Sequence, residues 1–180
     1  MRLVLFSIAL SCVFFSKAQL AEPHVNWVSM ADLEKVQAKE ERKVLVDVYT
    51  SWCGPCKMML KNTFENPEVV EYINKNFHAV KFNAEGDEVI NFKGHQWTNE
   101  GYDPNRRGRN STHDLTLAIA SSQGRIAYPT IVYMDENLNI IFPVQGYMQP
   151  DQIMPLLSYL ASDSYKEKSY DDYREAAVKK

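Results

Sequence analysis

Val44-Leu45-Val46-Asp47-Val48-Tyr49 is apolar but for one carboxylate, and it runs almost directly into Trp52-Cys53-Gly54-Pro55-Cys56-Lys57. A strand with one wet face alternates apolar and polar residues, whereas a near-continuous apolar run reads as a strand covered on both faces. After the cysteines, Lys57, Met58, Met59 and Leu60 favour helix, from Gly54 to about Thr63. The chain must therefore set Cys53 at a helix N-terminus and Cys56 inside the first turn, where a buried strand hands over to a helix.

The N-terminus narrows what the cysteines are for. Arg2, an apolar run from Leu3 to Phe15 and the small-residue site Ser16-Lys17-Ala18 read as a secretory signal, residues 1–18, cut after Ala18. That run is roughly 13 residues, short of the ~20 a spanning helix needs, so stable membrane insertion is not expected. Lipidation at Cys12 is a weaker reading. Of three cysteines, cleavage removes Cys12 and leaves Cys53 and Cys56 with no third thiol for a structural framework. The predicted destination is the periplasm or the exterior, an oxidising compartment in which such a pair acts. The formal net charge of −3 becomes more negative once Arg2 and Lys17 are lost, which argues against nucleic acid as a partner.

The remaining chain reads as one domain over 19–161 and a polar tail over 162–180. Ser29-Met30-Ala31-Asp32 resembles a capping box for a helix up to about Glu41. Asn66-Pro67 marks the start of a helix over 68–76, and His78 to Phe82 forms a second strand. From about 84 to 111 the chain is rich in Gly, Asn, Asp and Arg, with one hairpin in which Val89 to Phe92 and His95 to Trp97 flank Lys93-Gly94. Ser111-Thr112-His113-Asp114 is read as a further capping box, opening a helix that ends near Gly124. Pro129 to Met134 and Ile140 to Val144 read as antiparallel strands about a turn, and Pro150 to Leu160 as the closing helix. In the tail, Tyr165, Tyr170 and Tyr173 are the large anchors.

Thiol exchange needs an accessible thiolate, and a free cysteine titrates at about pH 8.5. At a helix start, unpaired N–H groups and the positive dipole end favour the anion, which makes Cys53 the attacking thiol. Cys56, one turn further in and less accessible, resolves the mixed disulfide. Pro55 fixes the backbone between the sulfurs and Gly54 leaves the approach open.

Val44 to Asp47, Trp52 to Lys57, Lys81-Phe82-Asn83, Tyr128-Pro129-Thr130 and Gly146 fall in an order and setting that resemble the thioredoxin family over most of 43–160. Thr63-Phe64-Glu65-Asn66-Pro67-Glu68-Val69 is similar to the C-terminal thioredoxin domain of the bacterial transmembrane disulfide reductase. The resemblance implies an α/β fold, a central mixed sheet flanked by helices, with an insertion ahead of a loop carrying Pro129 in a cis peptide bond. It implies that Trp52, Gly54, Pro55, Tyr128, Pro129 and Thr130 line the groove for the substrate backbone. By the same carry-over Asp47 is a buried carboxylate beneath Cys56 that accepts or returns its proton, with Lys81 as charged neighbour. No cofactor or metal is implied.

Other readings stand beside these. Cys53 and Cys56 with His95 and His113 could hold zinc, although the spacing matches no familiar motif. Arg106, Arg107 and Arg109, among Glu85, Asp87, Glu88, Glu100 and Asp103, read as a solvated loop. Asn110-Ser111-Thr112 fits a glycosylation acceptor, and Trp97 and Tyr102 either pack on the flank or rim the groove. The expected activity is disulfide reduction in partner proteins, fed by an upstream membrane electron donor. An oxidant or isomerase of the same fold, or a binding module with a redox-sensitive latch, are the alternatives.

Overall fold

The computed structural model describes residues 24–178; the proposed signal segment and Cys12 lie outside the described residues. The chain enters with a short strand β1 (Trp27–Ser29), a 3-10 turn and helix α1 (Leu33–Gln37), then β2 (Lys43–Tyr49) and α2 (Gly54–Asn62). Helix α3 (Pro67–Asn76), strand β3 (Phe77–Asn83), the hairpin β4 (Ile90–Phe92) and β5 (His95–Trp97), and α4 (Asp114–Ala120) follow. Strands β6 (Thr130–Met134) and β7 (Ile140–Gln145) precede α5 (Pro150–Ala161) and α6 (Tyr170–Val178).

The main sheet has the order β1-β3-β2-β6-β7, with β1 and β2 parallel to β3 and β6 antiparallel to both β2 and β7. It is thus the mixed sheet expected. Strand β2 is central, and alternation sends its side chains into two cores. Val44, Val46 and Val48 pack with Leu33 of α1 and Leu115 and Ile119 of α4. Leu45 faces the other way, into the core formed by Met59 of α2, Ile73 of α3 and Leu157 of α5. Each such fully buried aliphatic side chain contributes about 2 kcal/mol. Asp47 shares the face of Leu45 by the same period of two, which is the face that α2 covers.

Helix α3 starts as predicted, with Asn66 Oδ1 accepting from the N–H groups of Glu68 and Val69 at 3.0 and 3.2 Å. The hairpin also forms, and Lys93 and Gly94 both take positive φ, 53° and 73°, as a two-residue turn of this kind requires. Elsewhere the elements differ from expectation. Helix α1 stops at Gln37, whose side chain donates to Arg42 O and Glu136 O at 2.9 and 2.6 Å. Helix α4 is capped by His113, whose Nδ1 accepts from Leu115 N–H at 3.1 Å; Ser111 is occupied by Asn99. It ends at Ala120, since Gly124 serves a separate turn bridged from Ser122 to Arg125.

The tail is not merely polar. Tyr170 and Tyr173 stack on Tyr159 at 5.3 and 5.2 Å, and Ser158 Oγ lies 2.9 Å from the Tyr173 hydroxyl, so α6 folds back on α5. Strand β1 went unpredicted because it draws its order from the distant strand β3, whereas α6 carried a local signal that the reading missed, Ser169 Oγ accepting from Asp172 N–H at 3.2 Å. No helix among the described residues is long and apolar enough to cross a membrane.

Candidate active site

Cys53 is the N-cap of α2, with extended backbone (φ −71°, ψ 105°), and Pro55 occupies the first turn where its missing N–H costs nothing. Cys56 N–H donates to Cys53 Sγ at 3.1 Å, and the two cysteines form a disulfide with Cα atoms 5.3 Å apart. A side chain added at Gly54 would meet nothing within 4 Å, so the approach over the turn is open. The expected order of exposure is reversed in this disulfide form: Cys53 is 2% exposed and Cys56 6%. Cys56 borders a cavity that Cys53 does not.

That cavity, about 100 Å³, is lined by Asp47, Thr50, Cys56, Lys57 and Lys81 among others. Asp47 is 3% exposed, and burial pushes its carboxyl up to about 6, only partly offset by the Lys81 ammonium 3.9 Å away. Lys81 is itself held over the rings of Tyr49 and Trp27, at 4.9 and 5.3 Å. The buried Thr50 hydroxyl has no hydrogen-bond partner among the described residues. A carboxyl that titrates near 6 beside a cysteine can take up or deliver a proton at working pH.

The Tyr128-Pro129 peptide bond is cis. Pro129 O accepts from Gly146 N–H at 2.8 Å, and the buried Thr130 hydroxyl donates to Ala127 O at 2.6 Å, which ties the loop at both ends. Tyr128 meets Trp52 edge to face, with ring centroids 6.0 Å apart.

The segment 84–111 is ordered against this site. Glu85 Oε2 accepts from both Trp52 Nε1 and Asn110 N–H at 2.8 Å, and the Arg109 guanidinium lies 4.4 Å from the Trp52 ring centroid. The solvated-loop reading therefore fails for Glu85, whereas Arg109 stays exposed but rests against the Trp52 ring. A plain loop offers no reason to expect burial of Glu85, which Trp52 supplies by donating its indole N–H. Trp52, Glu85, Arg109, Asn110, Thr112 and Tyr128 line a cleft of about 470 Å³.

Cys53, Cys56, Asp47 and Lys81 thus come together, as do Trp52, Tyr128, Pro129 and Thr130 across the motif. Thr50, Glu85 and Arg109 escaped the sequence reading, since only the fold brings their chemistry to the cysteines. His113 is buried, with Nε2 donating to Glu88 O at 2.8 Å while Nδ1 caps α4, so neither ring nitrogen is left for zinc. Asn110 is tied down through Oδ1 and Nδ2 to the backbone at Asp103, which engages the amide nitrogen that a glycan would need. Trp97 packs on the flank and donates to Phe92 O at 3.3 Å.

A mixed sheet with helices on both faces and a disulfide capping the helix after its central strand define an α/β redox fold. The chain belongs to the thioredoxin-like family, whose domain model matches residues 30–161. It is 26% identical over 146 residues to the thiol:disulfide interchange protein DsbD of Tatumella citrea, covering 79% of this chain and 21% of that protein. A shorter match, 37% identical over 60 residues, relates it to DsbD of Haemophilus ducreyi, covering 31% of this chain and 10% of that one. The chain thus spans about a fifth or less of these relatives. The resemblance to the bacterial transmembrane disulfide reductase read from the sequence agrees with these two relatives. Among solved structures, a thioredoxin-fold protein from Helicobacter pylori superposes with a TM-score of 0.54 at 21% identity, covering 76% of this chain and 80% of that one. A thioredoxin from Thermus thermophilus superposes with a TM-score of 0.53 at 14% identity, covering 76% and 87%.

Proposed function

We propose that this protein is an exported thiol-disulfide oxidoreductase that reduces disulfides in partner proteins. The observation that carries the reading is the Cys53 sulfur at the start of α2, receiving the Cys56 N–H, with Cys56 bordering the cavity that holds Asp47. The same donor and the helix dipole favour negative charge on a reduced Cys53 sulfur. The Cys53 thiolate attacks one sulfur of the partner disulfide, forming an S–S bond to it and releasing the partner's other sulfur as thiolate. Cys56, its proton passed to Asp47, then attacks Cys53 Sγ, closing the Cys53–Cys56 disulfide and releasing the second partner thiol. Two electrons move to the partner, and a dithiol donor upstream, proposed to be membrane-bound, returns them. Trp52, Gly54, Pro55, Tyr128, Pro129 and Thr130 shape the surface on which the partner backbone lies.

Insulin reduction with a Cys53→Ser control tests the activity: turnover by the wild type alone is expected. The potential of the Cys53/Cys56 couple against glutathione tests direction; a more oxidising couple than the glutathione pool would make it an oxidant or isomerase. Export is tested by the N-terminus of the mature protein, expected just after Ala18. The near-complete burial of both sulfurs favours one second reading, a binding module whose disulfide acts as a latch. Stoichiometric oxidation without turnover would select it.

A further inference from the structure

The segment ahead of the cis-proline loop adds charge to the site. The Arg109 guanidinium lies over the ring of Trp52, the residue before Cys53, and forms no ion pair or side-chain hydrogen bond among the described residues. Arg106 and Arg107 stand exposed in the same loop and are equally without carboxylate partners. The nearby acids do not neutralise them by pairing. Glu85 is spent on Trp52 and Asn110, Asp103 accepts from Asn105 N–H at 2.9 Å, and Asp87, Glu88 and Glu100 make no ion pair with these arginines. Of the three arginines, Arg109 lines the 470 Å³ cleft, which it shares with the Glu85 side chain, on a chain whose formal net charge is −3.

We propose that Arg109 makes the protein selective for partner segments with an acidic residue beside the reactive cysteine, by receiving that carboxylate. The proposal rests on the thiol-exchange reading above. Without an ion pair among the described residues the guanidinium keeps donors for a carboxylate, and its contact with the Trp52 ring favours a set position before the partner arrives. The cleft that Arg109 lines is also lined by Trp52, which precedes Cys53 in sequence, and by Ala127 and Tyr128, which precede Pro129, so a chain docked at the proline loop lies next to it.

The test uses the fully reduced protein and three peptides, each with one internal disulfide, identical but for Glu, Gln or Lys beside one cysteine. Second-order oxidation rates are read by stopped-flow Trp fluorescence. The wild type is expected to favour Glu over Gln by about threefold to fivefold at low salt, and over Lys by more, with the preference shrinking as salt rises. Arg109→Glu should invert the Glu and Lys order, an outcome that loss of folding cannot mimic, while Arg109→Lys should keep part of it. Equal wild-type rates, or an unchanged ranking in Arg109→Glu, overturn the selectivity alone. No reaction with any peptide overturns the exchange reading and the selectivity together.

Discussion

The Asp47 carboxylate lies 3.9 Å from the Lys81 ammonium, yet burial outweighs the cation and the carboxyl titrates at about 6, above its ordinary 3.8. A folded-state value raised above the unfolded one means that the folded protein holds this proton while the unfolded chain has already lost it. Stability should therefore fall as pH rises from about 4 to about 6, by about 2 to 3 kcal/mol, and then level off. Urea denaturation of the oxidised protein at pH 4.5 and 7.5 measures this. The contribution is absent from Asp47→Asn, which should gain stability at pH 7.5 relative to wild type; an equal pH dependence in both would refute the account.

Lys81 is the group that moderates Asp47. In Lys81→Met the Asp47 carboxyl should titrate higher than in the wild type, and the resolving step should need a higher pH to reach half its maximal rate. Carboxyl-carbon NMR of Asp47 reads the first directly. An unmoved or lowered midpoint would mean that the cation does not act on this carboxylate.

Glu85 pins the segment 84–111 to the motif through one oxygen shared by Trp52 and Asn110. Glu85→Ala leaves both donors without their acceptor and should cost about 2 kcal/mol, whereas Glu85→Gln keeps an acceptor and should cost about 1. Equilibrium denaturation followed by Trp fluorescence and by circular dichroism should show both losses. Ala and Gln variants of equal stability would argue that the contact carries no weight.

Removing residues 164–180 strips Tyr170 and Tyr173 from Tyr159 while keeping Asp163, which pairs with the buried Lys43 at 2.9 Å. The truncated protein should lose about 2 kcal/mol, since each aromatic pair is worth about 1 kcal/mol beyond its buried area. Its Cys53/Cys56 potential should not change. A midpoint equal to that of the full chain would show the tail to be a passenger.

Residues whose neighbours lie close in sequence were legible before the fold. The Asn66-Pro67 start of α3, the Lys93-Gly94 hairpin and the strand-to-helix passage through Cys53 depend on caps, turns and periodicity that short windows carry. Residues whose partners lie far away were not. Glu85 reads as one acid among many until Trp52, 33 positions earlier, donates to it, and Arg109 reads as a solvated cation until the same ring lies beneath it.

By itself, the order of residues from Val44 to Lys57 determined a buried strand feeding a helix capped by a thiol, because apolar continuity and helix-start chemistry are local properties. Only the tertiary structure decided the electrostatics around that thiol: burial that keeps the Asp47 carboxyl, in a cavity shared with Cys56, near 6, and an arginine over Trp52. Desolvation and stacking depend on what the rest of the chain brings within a few ångströms, and no window of sequence contains that.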